Sequence, residues 1–169
     1  PFTPMRFDAR RLHPRRFVGR FTPRLATYFG AVLLAFTGFG VFFAPLPAFL
    51  SATGYGSSGT FALYLLLNGG SAVFYGHAAT LVERYQLVPA HAGALLARAV
   101  AFPLVAGIAI AVGGTLLGIV LTALVLVIVG LAWSVIAVTA ATLVTALSPA
   151  SIRGEALGVY GALVAVGGG

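Results

Sequence analysis

Between Leu25 and Val82 the chain runs for 58 residues without an Asp, Glu, Lys or Arg, and between Ala99 and Ile152 for another 54. No other feature limits the fold so tightly. As a single helix each run would stretch to about 80–90 Å at 1.5 Å per residue. A bilayer core is only about 30 Å thick and takes about 20 residues per crossing. Each run is therefore too long for one span and suits two. Neither run alternates polar with apolar residues, as the strands of an outer-membrane barrel must. The expected fold is all-α, a polytopic membrane helical bundle.

Composition narrows the partners. The chain is 60% hydrophobic and 8% charged, against roughly 25% charged in soluble domains, so the lipid bilayer is its surroundings. All ten basic residues are Arg, a usage that fits a GC-rich or halophilic prokaryotic genome. The absence of Cys excludes disulfides, cysteine-ligated metals and thiol chemistry. A net charge of +7 would suit nucleic acid. The arginines flank apolar spans, however, where the positive-inside rule accounts for them, and no nucleic-acid partner is expected. Residues 1–24 are basic without a short apolar core, so no signal peptide is read there. Beginning at Pro1 and ending at Gly169 within an apolar stretch, the sequence reads as an excerpt of a longer protein.

Proline and glycine divide the runs. Residues 1–24 form a basic linker, with Arg6, Arg10, Arg11, Arg15, Arg16, Arg20 and Arg24 interspersed among Phe2, Phe7, Leu12, Phe17 and Phe21. It is either a cytoplasmic flank or an arm lying on anionic lipid. The transmembrane bundle, residues 25–169, holds five spans at about 25–50, 60–82, 92–112, 116–147 and 155–169, the last truncated. Pro45 and Pro47 should kink or end the first span. "SATGYGSSG" (51–59) and Gly113-Gly114 make uncharged turns. Arg6 to Arg24, then Arg84 with Arg98, then Arg153 mark alternate connections. That places residues 1–24, 83–91 and 148–154 in the cytoplasm of a multi-pass protein of the cell membrane.

Three phrases resemble a known family. "LPAFLSATGYGSSGTFALYLLLNGGSAVFYGHAATLVERY" is similar to the seventh and eighth spans of major facilitator superfamily transporters. "ERYQ" resembles that family's short cytoplasmic Asp-Arg-x-Gly-Arg signature, with Glu83 for Asp, Gln86 where Gly would stand and Leu87 for the following basic residue. "LSPASIRGEALGVYGALVAVGGG" resembles the opening of the eleventh span. The resemblance covers nearly the whole chain. It implies half of a twelve-helix fold, from the central cytoplasmic linker through about the eleventh span, with an N-terminal helical half as partner.

The resemblance also implies a role for the charges at the span ends. Glu83 and Arg84, with Arg153 and Glu155, would form a conformational latch that lets go in one state, Arg153 facing Glu83 across the bundle. The plainer reading makes Glu83 and Arg84 an interfacial pair worth about 0–1 kcal/mol, Arg153 a flanking cation and Glu155 a charge on its helix dipole. Gly154, Gly158 and Ala162 lie at helical spacing and read as a packing strip. Tyr64, Asn68, Trp133 and Tyr160 are the candidates for a substrate cavity. His77 reads as a solvated interfacial side chain, and His91 as a loop-boundary residue. No carboxylate stands mid-span, so either a coupling proton uses another residue or another part of the protein, or transport is uncoupled.

No acid pair, metal cluster, phosphate loop or nucleophile–base set is present, so neither an enzyme nor a metal or cofactor is expected. The expected function is secondary transport of a small-molecule substrate by alternating access, with drug or metabolite efflux as the form an uncharged aromatic interior suits. The alternative is a non-transporting multi-span scaffold or accessory subunit.

Overall fold

Proline, glycine and capping side chains set most helix boundaries. The computed structural model describes residues 19–168; the basic linker up to residue 18 lies outside them. Helix α1 (Pro23–Phe43) opens on Thr22, whose side chain accepts a hydrogen bond from the Leu25 amide at 3.2 Å. Pro23 stands in its first turn, where no amide donor is needed. Before Pro45 the helix stops, and the short α2 (Leu46–Ala52) resumes it. Then come α3 (Gly56–Tyr85), α4 (Leu87–Val112), α5 (Leu116–Leu147), a 3-10 turn at Ala150–Ile152 and α6 (Arg153–Gly168). The described residues include no strand.

Three segments are long and apolar enough to cross a bilayer: Pro23–Ala52, α4 and α5. They correspond to the first, third and fourth expected spans; the fourth has the expected bounds, while the third begins five residues early. Helix α3 has the length, at 30 residues, but Asn68, Gly69, Gly70, Ser71 and His77 dilute its apolar character. The described part of α6 is 16 residues long.

The connection expected at 83–91 is not a loop. Helix α3 continues to Tyr85 and α4 begins at Leu87, leaving Gln86 alone between them at φ 65°, ψ 157°. Pro89 is tolerated because it falls in the first turn of α4, where backbone amides have no intrahelical partner.

Helix α5 is the central post. It packs along α3 and α4, while α1 packs chiefly on α6. The α3–α5 crossing is tight at Gly130, where a Cβ would lie 2.7 Å from the Leu67 carbonyl oxygen. Beside it, the Ser134 hydroxyl donates to the Ser71 carbonyl at 2.7 Å. Thr122 and Thr139, fully buried on the same helix, are also bonded: Thr122 to the Tyr55 hydroxyl at 2.8 Å, Thr139 to the Val135 carbonyl at 2.7 Å. Buried polar groups without such partners would each cost on the order of 1–3 kcal/mol.

The two glycine-rich turns meet at one end. Gly54 and Gly114 both have positive φ (92° and 74°), and a Cβ on Gly114 would sit 3.0 Å from the Gly54 carbonyl oxygen. The opposite end carries Arg20, Arg24, Arg84 and Arg153. Large apolar side chains cover the outside, with Leu34, Ile110, Leu116 and Val166 all more than 70% exposed. In water that surface would be an aggregation hazard; facing acyl chains it costs nothing.

Candidate functional site

Helix α4 buries one stripe, His91, Ala94, Arg98, Ala101, Val105 and Ala109, at steps of three and four residues. Small side chains on that stripe let α5 approach closely. The one charged member is Arg98, twelfth of the 26 residues and so about 16 Å from the start of the helix. The sequence reading placed it among cytoplasmic flanking residues. Instead it is inside the bundle, 6% exposed, because α4 begins five residues before the expected start of its span and carries Arg98 inward.

Aromatic rings from three helices enclose this cation. The guanidinium carbon lies 4.4 Å from the centroid of Phe39 on α1, 5.2 Å from Phe102 on α4 and 5.4 Å from Trp133 on α5. Phe39 stacks on Trp133 at 5.6 Å, and Phe36 meets the same indole edge-on at 5.7 Å. Further along, Phe42 stacks on Phe102 at 4.1 Å, and Phe43 is tilted against Phe39 at 4.3 Å. Ring quadrupoles attract a desolvated cation by about 2 kcal/mol in the best geometries. They do not replace hydrogen bonds. Arg98 Nε and Nη2 are buried with no hydrogen-bond partner among the described residues.

Phe39 and Trp133 also line a cavity of about 180 Å³, bounded further by Phe43, Asn68, Ser71 and Gly130. Two of the expected cavity residues, Asn68 and Trp133, therefore share one space. Tyr64 is next to it: its ring meets Phe43 edge-on at 6.2 Å and its hydroxyl donates to the Phe43 carbonyl at 3.1 Å. Tyr160 is elsewhere, against the Leu25, Phe29 and Ala156 cluster. Asn68 spends one amide hydrogen on the Tyr64 carbonyl of its own helix at 2.8 Å.

His91 is also not a loop residue. It is buried in the first turns of α4, with Nδ1 2.7 Å from the Thr139 hydroxyl and Nε2 3.4 Å from the Tyr28 hydroxyl. It faces a groove of about 600 Å³ between α1, α4 and α5, which runs from Arg24 past Tyr28 and His91 to Leu95 and Phe36. Its inner end is one helical turn from Arg98. His77 is exposed beside Phe74 on α3.

Of the latch residues, Glu155 accepts two hydrogen bonds from Arg20 Nη1 at 2.7 and 2.9 Å, the one ion pair among the described residues. Glu83, Arg84 and Arg153 are exposed, and Arg84 lies over the Tyr85 ring at 5.6 Å. Thus Arg153 does not pair with Glu83 here; the α6 carboxylate reaches the segment before α1 instead. Gly154, Gly158 and Ala162 are exposed, with no atom of another element within 4 Å of a Cβ built on either glycine. Helix α6 meets α1 through its other face, where Gly167 comes so close that a Cβ would lie 2.9 Å from that of Phe36.

The sequence did hold a signal for the buried arginine. Arg98 falls in register with Ala94, Ala101 and Val105, a stripe of small residues that no lipid-facing or snorkelling arginine requires. No family model, curated protein or solved structure matches the chain.

Proposed function

We propose that this chain is most of one helical half of a secondary transporter of the major facilitator type. On this reading it carries a small molecule by alternating access, with α3 and α6 as further spans and the arginine-bearing end in the cytoplasm. The observation that carries the reading is Arg98. A cation left without a hydrogen-bonding partner in the middle of a membrane helix is costly, and a scaffold has no use for it. Around it stand a cavity shared by α1, α3 and α5 and a polar-ended groove from the arginine-rich end, which together resemble the two stages of an access path. The order of the three resembling phrases gives independent support.

The test is an uptake and efflux screen in proteoliposomes, run with and without a pH gradient, comparing the native protein with Arg98→Ala. Saturable flux that Arg98→Ala reduces at least tenfold is the expected result. A protein that inserts and folds but moves no solute in either direction would favour the accessory-subunit reading. Flux that requires the pH gradient and is lost in His91→Ala would make the Tyr28–His91–Thr139 cluster the proton carrier.

A further inference from the structure

The chain contains three acidic residues, and neither of the two described ones neutralises Arg98. Glu155 is held by Arg20. Glu83 is exposed near the end of α3, whereas Arg98 is about 18 Å up α4 from Gln86. The third, Asp8, lies outside the described residues. The two unpartnered atoms, Nε and Nη2, form one edge of the guanidinium, a rigid fork whose parallel N–H bonds match the two oxygens of a carboxylate. Phe39 covers a face of the group, and both atoms of that edge are buried without a partner.

We propose that Arg98 anchors a binding site for a small monocarboxylate, its oxygens on the Nε–Nη2 fork and its apolar or aromatic body against Phe39, Phe43 and Trp133. This names the substrate class of the transport reading and rests on that reading only for movement across the membrane. The unpartnered edge offers one fork and the group one charge, which suits a monoanion; a phosphate dianion calls for more donors than Asn68 and Ser71 add. The cavity of about 180 Å³ is smaller than the roughly 300–1,000 Å³ of sites for drug-sized ligands, so a carboxylate of benzoate size or less fits it. The fork has no surface open to water in this conformation. A ligand in the cavity gains it by turning the Phe39 or Trp133 ring aside. Arg24 at the outer groove gives an anion a favourable entry.

Trp133 is the one Trp of the chain and touches the site, so it reports binding directly. The protein in nanodiscs of phosphatidylcholine alone, which offer no anionic headgroup as competitor, is titrated with sodium benzoate, sodium acetate, sodium chloride, sodium phosphate and the neutral isostere benzamide. Labelled benzoate in equilibrium dialysis provides a second, fluorescence-independent readout. Saturable binding of benzoate, at least tenfold tighter than benzamide and lost in Arg98→Gln, is expected. Arg98→Lys keeps the charge without the fork and should bind at least fivefold more weakly than the native protein. Equal affinity for benzamide, unchanged benzoate binding in a folded Arg98→Gln protein, or preference for chloride or phosphate would overturn the proposal. Benzoate binding without benzoate flux in proteoliposomes keeps the site and removes transport; saturable flux of neutral solutes without benzoate binding does the reverse.

Discussion

Replacing Arg98 with methionine should raise stability while removing the site. An arginine near the centre of a membrane helix costs about 2.5–3.5 kcal/mol to place. Phe39, at 4.4 Å from the guanidinium carbon, returns about 1–2 kcal/mol of that as a cation–π contact. Phe102 and Trp133 lie at 5.2 and 5.4 Å, and their attraction is weaker. A net cost of about 1 kcal/mol remains. Methionine keeps the length, adds no charge and makes sulfur–aromatic contacts worth about 0.3–1.5 kcal/mol. The expected gain is therefore about 1–2 kcal/mol, or roughly 2–8 °C in Tm for a chain of this size. Thermal unfolding in nanodiscs, followed by far-ultraviolet circular dichroism and by Trp133 fluorescence, measures it. A fall of more than about 4 °C would refute the reasoning, since it would mean that the empty protein already supplies Arg98 with a counter-charge. The same variant should bind no benzoate, the usual opposition of stability and function at a binding site.

Three further perturbations probe the frame around the site. Gln86 occupies, at φ 65° and ψ 157°, a backbone region that glycine alone adopts freely, so Gln86→Gly should add about 1–3 kcal/mol, read as a higher Tm; no change would mean that the turn is unstrained. Gly130→Val drives a side chain into the Leu67 carbonyl, 2.7 Å from where its Cβ must sit, and should cost about 1–3 kcal/mol with loss of folded yield; a native Tm would show that α3 and α5 do not cross there. Glu83→Gln and Glu155→Gln should each leave insertion intact and change stability by less than about 1 kcal/mol, because the charges lie at least partly in solvent. A slower transport rate is expected of each if these charges form the latch, and native rates in both would remove that role.

The Gln86 position shows how a sequence can be legible and still mislead. The transporter signature resembled by "ERYQ" has glycine there, and Gln86 reads as a departure from it. The backbone there has a conformation that favours glycine, since a one-residue junction between α3 and α4 leaves little choice of dihedral angles. The loop expected over 83–91 shrinks to this residue because Pro89 stands in the first turn of a helix, where it is tolerated.

What the sequence determined by itself was most of what depends on neighbours along the chain. The uncharged runs called for membrane-crossing helices; Pro45, Gly54 and Gly113-Gly114 fixed where helices stop, and these boundaries lie close to where they were expected. Depth, rotation and partnership belong to the tertiary structure. Arg98 can snorkel to an interface or turn inward, and Phe39 and Trp133, distant in sequence, decide the matter by enclosing it. Glu155 reaches Arg20 rather than remaining with Arg153 beside it because α6 lies along α1. The glycine strip of α6 looks like a packing face until the opposite face, with Ala156 and Gly167, takes the contact. Helical periodicity tells which residues share a face. Only the packing of one helix on another tells which face is inside.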